Sequence, residues 1–401
     1  MESGAATTRA ARTFRRPRTD PRAGVSGYKR VRRIAFTASL VALLPVLVSW
    51  ASTMSQPSNS SLGIRTVEWL RDHGAAGLVA QIESTYYSLT APSKGGPTLR
   101  ALPRVGYGSG NAAPAHARGA GAAAVAVTAA YRPPRVAPLI HPALPGEGQW
   151  RATRPSLAAS PPVLVTTIRN QPEYPRVLAG LAWIDTKRTT LKLIPGRQEP
   201  AGEIPRGSME IPFTNRAGLL ASFNSGFKLA DAGGGVVVNG HTYATMRDGA
   251  ATLVGYADGH SDVIDWQYGS RAPSSVVFAR QNLPLIVNHG RSNPNLNNGI
   301  EWGATLGNAI LVWRSAIGVD RHGNLIYAAG DNQTVGSLAG TMVHAGAVRA
   351  MELDINSYWV SFIDYGRPGA HAPTNLLPNM TRSPSRYLEP DDRDFFAVYA
   401  R

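Results

Sequence analysis

Between Val163 and Tyr399 the chain is cut into about a dozen short apolar runs, each bounded by Gly, Asn, Asp or Pro. This rhythm constrains the fold more than any other feature. Runs such as Val163–Ile168, Val177–Asp185, Leu219–Phe223, Thr252–Tyr256 and Phe395–Tyr399 have strand length and strand composition. Helical signals are few: a short one at Arg216–Leu220, and a clearer one at Thr334–Gly346 that opens on a capping Thr and closes on Gly. A doubly wound fold needs crossover helices between its parallel strands, and those are missing. The pattern predicts an α+β domain over residues 136–401, a β-rich mixed sheet with few helices.

Within that domain one stretch leads to chemistry. Ile317–Asp320 and Asn324–Ala328 are short runs joined by Arg321-His322-Gly323, a turn in which Gly supplies a positive φ. After the Thr334–Gly346 helix, Val348–Leu353 reads as a buried strand that delivers Asp354 to its end. A carboxylate at a strand end, beside a loop of small polar residues, is a common place for a site. A turn-capping Asp has the same signature.

The formal net charge of +15 is not spread evenly. Residues 1–33 carry ten Lys/Arg against Glu2 and Asp20, a net +8, which leaves +7 for residues 34–401. This basic tail precedes Ile34–Ser52, 19 uncharged and largely apolar residues, close to the roughly 20 that cross a bilayer. The arginines lie on its N-terminal side, so the positive-inside rule places residues 1–33 in the cytoplasm and the rest outside. A cleaved signal peptide is the competing reading, because Ser49-Trp50-Ala51 resembles a small-x-small cleavage site. Either reading exports the domain, and the membrane is the expected partner of the N-terminal helix. No basic face with interleaved aromatics is present, so nucleic acid is not an expected partner. The lack of cysteine excludes disulfides and thiolate sites. The sequence carries no signal for oligomeric state.

Residues 58–90 read as a helical stalk, with Leu62, Val67, Leu70, Leu78, Val79, Ile82 and Tyr86 at roughly helical spacing. Gly74 and Gly77 are expected to break it in two. The stalk carries nothing that points to chemistry. Residues 91–135 are rich in Ala, Gly and Pro and read as a disordered linker, with too little aliphatic bulk to offset ordering entropy. Gly106, Gly108 and Gly110 fall in this linker with no strand before them, so they do not make a phosphate loop.

Three motifs occur in an order that resembles the phosphodiester glycosidase family: Phe223-Asn-Ser-Gly-Phe-Lys228, Arg314-Ser-Ala-Ile-Gly318 and Ala350-Met-Glu-Leu-Asp354. The resemblance covers about residues 160–366, roughly half the chain. It implies a hydrolase that releases a sugar from a sugar-1-phosphodiester, with Asp354, Arg314 and Asn224 as catalytic candidates. Gly226 and Phe227 fall on the family's glycine-aromatic turn. Ile355-Asn356-Ser357 stand where the family has glycines, which let a backbone approach a ligand closely.

The chemistry of the residues points the same way. A diester phosphate spreads one negative charge over two free oxygens, which the planar Arg314 guanidinium can meet. Asp354 suits the carboxylate that glycosidic cleavage needs beside C1. Asn224 and Asn356 can bind sugar hydroxyls, and Lys228 adds positive charge near the phosphate. Duller readings exist: a surface ion pair for Arg314, a turn before Gly226 for Asn224 and a solvated cation for Lys228.

Asn288–Gly299 is an Asn-rich loop followed by Glu301-Trp302, a combination that suits carbohydrate binding with the ring stacked on a sugar. His289 is a substrate-binding or acid–base candidate there, against a solvated turn-rich loop. The histidines show no zinc spacing, and His344 reads as structural. No cofactor or metal site is expected, although Asp331, Asn332 and Asp354 leave a divalent cation such as calcium open. The expected function is a membrane-anchored, extracytoplasmic hydrolase of a glycosyl phosphodiester in the cell envelope. The alternative is a non-catalytic envelope domain on the same fold that binds a glycan or serves as a scaffold.

Overall fold

The structure, a computed structural model, describes residues 21–103, 105, 131–157, 160–297, 299–303 and 310–401. The first 20 residues of the basic tail and most of the Ala/Gly/Pro-rich linker, including its Gly106–Gly110 stretch, lie outside the described residues. The chain divides into two units between Gln56 and Pro57.

The first unit contains helix α1 (Pro21–Ser55). Its 29-residue stretch Gly27–Ser55 is long and apolar enough to cross a membrane. A signal sequence satisfies the same criterion.

The second unit opens with α2 (Leu62–Leu70), whose first turn is capped by the Ser61 side chain. A π-helical turn at Arg71–Ala75 leads into α3 (Ala76–Thr90). Gly74 makes the bend at φ 87°, a conformation open chiefly to glycine. Gly77, expected to break the helix as well, lies inside α3.

Eighteen strands follow among the described residues. The first seven are β1 (Arg151–Ala152), β2 (Val163–Arg169), β3 (Leu178–Ile184), β4 (Thr189–Ile194), β5 (Leu219–Asn224), β6 (Val236–Val238) and β7 (His241–Ala244). Next come β8 (Ala251–Tyr256), β9 (Ser261–Asp265), β10 (Val276–Gln281), β11 (Leu285–Asn288), β12 (Arg291–Ser292) and β13 (Val312–Asp320). The last five are β14 (Leu325–Gln333), β15 (Ala347–Glu352), β16 (Phe362–Arg367), β17 (His371–Asn375) and β18 (Phe395–Ala400). Helix α4 (Leu229–Ala232) lies between β5 and β6, and α5 (Val335–His344) between β14 and β15.

The strands form an eight-stranded sheet, β1-β2-β3-β14-β13-β15-β11-β12, and two five-stranded sheets, β7-β6-β10-β8-β9 and β17-β16-β5-β18-β4. The β-rich α+β architecture matches the sequence reading. Where that reading expects a mixed sheet, every described ladder is antiparallel. The reason is visible at α5: it carries the chain from β14 over β13 to β15, so the two strands it joins are not neighbours.

The central strands β2, β3, β13 and β14 of the large sheet are buried on both faces. Leu325, Tyr327 and Ala329 of β14 face the core shared with the smaller sheets, whereas Ile326 and Ala328 face the layer formed with α5. Gly318 permits this second layer, since a Cβ there would stand 2.6 Å from Arg349 O and 2.7 Å from Met342 Cε. The central core is aromatic: Phe223 stacks on Phe396 at 5.3 Å and on Phe362 at 6.2 Å, with Tyr327 at 5.5 Å. Each such ring, fully buried, contributes about 1.5–3 kcal/mol. This cluster lies directly under the ends of β5, β13 and β18, where the candidate site is built.

Candidate active site

Asp354 lies two residues beyond β15, and β13 fixes its backbone. Leu353 N donates to Ser315 O at 2.7 Å, and Ser315 N donates to Asp354 O at 2.9 Å. Ser315 Oγ donates to the same carbonyl at 3.1 Å and receives a hydrogen bond from Asn224 Nδ2, also at 3.1 Å. Asn224 closes β5; its Oδ1 accepts from the Tyr327 hydroxyl at 2.9 Å and from Ser361 N at 3.0 Å. Its other Nδ2 hydrogen goes to Ser225 O at 2.8 Å. Asn224 is buried and its amide is fully used, so it positions Asp354 instead of meeting a sugar hydroxyl.

The Asp354 carboxylate reaches a different environment. Oδ1 accepts from Asn356 N at 2.9 Å, and Oδ2 accepts from Arg393 Nη2 at 3.2 Å. Arg393 immediately precedes Asp394 and β18, and its guanidinium lies 4.9 Å from the centre of the Trp359 ring, a cation–π contact. Burial pushes the Asp354 pKa up to about 6, against the lowering effect of Arg393 and of the Asn356 and Ile355 N–H groups.

Both groups line a cavity of about 440 Å³. Phe227 and Lys228 enter it from the turn after β5, Ala230 and Asp231 from α4, and Ile355, Asn356 and Trp359 from the segment after β15. The remaining wall is helical: Glu68, Arg71, Asp72, Ala76, Gly77 and Ala80. The stalk therefore contributes charge to the cavity, which the sequence reading did not give it. Lys228 pairs with Glu68 and lies 3.9 Å from Asp72. Burial pushes Glu68 up, but Lys228, with Arg393 and Arg71, outweighs this and leaves its pKa below its ordinary value. Gly226 sits against Asn282: a Cβ would approach its Nδ2 to 2.9 Å, and that Nδ2 clamps Glu352 O and Leu353 O at 2.6 and 2.8 Å.

Arg314 lies elsewhere. It does not line the cavity; its Nη1 donates to Glu352 Oε1 at 2.6 Å and to Trp302 O at 3.1 Å, and its Nε donates to Gln333 O at 3.1 Å. Glu352 is fully buried; burial raises its pKa and Arg314 opposes that rise. This is a buried ion pair, neither the expected phosphate contact in the cavity nor a surface pair. His289 is exposed in the β11–β12 turn at φ 50° and also lies outside the cavity. Trp302 is buried and donates its Nε1–H to Asn295 O at 3.1 Å, so it closes the Asn-rich loop instead of presenting a ring to a sugar. Asp331 Oδ1 accepts from Asn332 N at 2.8 Å, and among the described residues no group of three His, Cys, Asp or Glu is placed to hold a metal ion.

Of the candidate site residues, the structure brings Asp354, Phe227, Lys228 and Asn356 to one cavity, with Gly226 beside them. Arg393, Trp359 and Glu68 were not singled out in the sequence. Arg393 had one available signal: Asp391-Asp392-Arg393-Asp394 directly precedes an apolar strand, and all four charges are buried. They are held by Arg386 on Asp391 at 2.7 Å, Arg280 on Asp394 at 2.9 Å and Ser60 on Asp392 at 2.6 Å.

Comparisons with known proteins bear on the same segment. Among curated proteins no sequence matches the chain. Solved structures similar to this chain include three with the following likeness. The zebrafish N-acetylglucosamine-1-phosphodiester alpha-N-acetylglucosaminidase catalytic domain, auto-inhibited by its pro-peptide, is 15% identical and covers 63% of this chain and 87% of that one, with a TM-score of 0.39. A hypothetical protein from Synechocystis is 15% identical over 61% of this chain and 65% of that one, TM-score 0.34. A putative exported protein from Burkholderia pseudomallei is 12% identical over 58% and 75%, TM-score 0.35. Residues 216–354, which end on Asp354, match the family model of the phosphodiester glycosidases.

Proposed function

We propose that the cavity hydrolyses a glycosyl phosphodiester, and that α1 anchors the protein in a membrane with the cavity on the extracytoplasmic side. The observation that carries this reading is the Asp354–Arg393 pair: a buried carboxylate and a guanidinium at 3.2 Å, both lining one cavity. With its pKa raised to about 6, Asp354 is mostly ionised at neutral pH and stays close enough to its titration range to accept a proton. It acts at C1 of the sugar, stabilising oxocarbenium character or taking a proton from the attacking water. Water oxygen bonds to C1, the C1–O bond to phosphorus breaks, and the products are free sugar and a phosphomonoester. The phosphate leaves without a second carboxylic acid. The phosphate contact expected of Arg314 falls in this reading to Arg393 and Lys228, the cations beside Asp354 in the cavity. Asn356 and the Trp359 ring are the groups there that suit a sugar.

One observation favours a non-catalytic glycan-binding domain instead. Ile355, which stands where the resemblance places a glycine, is buried with Phe227 and Val312 and lines the cavity beside Asp354. Incubating the full chain, in detergent, with an N-acetylglucosamine 1-phosphodiester separates the two. Release of free sugar supports the hydrolase; binding of the diester without release supports the binding domain.

A further inference from the structure

The helix that walls the cavity also presents an apolar face to the outside. Ala76 and Ala80 of α3 line the cavity, and Val79 is buried. Around the same helix Leu78, Ile82, Tyr86 and Leu89 are 59%, 62%, 61% and 81% exposed. At 3.6 residues per turn these four share one stripe, turned away from Ala76 and Ala80. Leu62, at the start of α2, is exposed as well. A contiguous stripe of large apolar side chains on a soluble domain marks a surface that something covers.

The chain itself identifies the occupant. Residues 56–61 alone join α1 to α2, and six residues extend to at most ~20 Å. A bilayer that holds α1 is therefore within that reach of the start of α2. An interfacial helix buries its apolar face about 5–10 Å into the headgroup region, and a helix is about 10 Å across.

We propose that the outer face of α3 is a membrane-docking surface, and that the diester admitted to the cavity on its inner face is carried by a lipid. The substrate class rests on the catalytic reading of the cavity; the docking surface stands on the stripe and the short tether.

The chain has no cysteine, so Ile82→Cys creates a unique labelling site. Full-chain protein labelled there with a polarity-sensitive fluorophore is reconstituted into phosphatidylcholine–phosphatidylglycerol vesicles. A Phe213→Cys protein serves as the control, since Phe213 is also highly exposed. The expected result is a blue shift and quenching by brominated lipid at position 82 and neither at 213. A label at 82 that stays in water, one that self-quenches with protein concentration independently of lipid, or equal quenching at both positions overturns the docking surface.

In a second arm, an Ile82→Ser/Leu89→Ser protein is compared with the unsubstituted chain. One substrate is a water-soluble methyl diester of sugar 1-phosphate, and the other is a polyprenyl diester in vesicles. The expected result is unchanged turnover of the soluble diester and at least tenfold slower turnover of the lipid-borne one. Equal effects on both substrates, or no effect on the lipid-borne one, overturn the assignment of substrate. If the unsubstituted chain cleaves neither diester, the catalytic reading and the substrate class fall together, and the quenching result alone decides the docking surface.

Discussion

Arg393 Nη2 stands 3.2 Å from Asp354 Oδ2, a contact made by residues 39 apart in the chain, at the ends of strands from different sheets. The contact opposes protonation of Asp354. Burial pushes Asp354 up to about 6, and Arg393 restrains that rise.

If ionised Asp354 does the work, kcat/KM is flat above about pH 6 and falls close to tenfold per unit below it. Replacing Arg393 by Met removes the restraining charge, so the inflection moves upward as the rate drops. A pH–rate profile of the two proteins checks both the value and the direction.

Arg314 is expected to matter for stability more than for substrate. Its loss leaves Glu352 buried without its cation, a change that costs about 3–5 kcal/mol. Arg314→Ala should lower the thermal midpoint strongly, and adding Glu352→Gln should recover part of it. The KM of the folded fraction stays near that of the unsubstituted chain. A KM raised tenfold with little change in midpoint would return Arg314 to the role the resemblance implied.

Asp364 on β16 is fully buried, neither carboxylate oxygen has a partner among the described residues, and burial pushes its pKa up to about 8. The unfolded chain has the ordinary value of 3.8, so between that pH and about 8 the folded state holds a proton the unfolded state has released. Stability is then highest below the unfolded pKa, declines as pH rises through this window and levels off above about 8. Asp364→Asn should remove the decline and be the more stable protein at pH 8–9, by roughly 1–3 kcal/mol. Denaturation midpoints at pH 5, 7 and 9 report the difference.

Lys228 is held by Glu68 across the cavity. Lys228→Met should raise KM for a charged diester about tenfold, which is about 1.4 kcal/mol, and leave an uncharged glycoside unaffected. Glu68→Gln should act in the opposite sense by freeing the ammonium. Steady-state kinetics on the two substrates distinguish charge recognition from a general loss of shape.

The sequence made parts of this molecule legible because local rules decided them. Asp320-Arg321-His322-Gly323 forms the turn its composition predicts, with Gly323 at φ 81°, and Thr334 caps α5 through a capping box with Ser337. Asp354 could be placed at a strand end because the apolar run before it is short and sharply bounded. Arg314 and Asn224 do not line the cavity, for a common reason: each is a polar residue buried inside a network whose partners, Glu352 and Trp302 for one, Tyr327 and Ser361 for the other, are set by sheet register. Periodicity does not encode register. Arg393 sits in a run of four charges whose burial rests on the tertiary contacts of Arg280, Arg386 and Ser60, which local pattern does not encode. Glu68 lay in a helix whose pattern showed amphipathicity but not what its inner face would cover.

The most direct test of the central claim is the kcat/KM of the full chain and its Asp354→Asn variant on an N-acetylglucosamine 1-phosphodiester at pH 7.5, read as sugar released. The account predicts measurable turnover by the unsubstituted chain and a loss of about 10²-fold or more per folded molecule in the variant. Equal release by both proteins, or none by either, contradicts it.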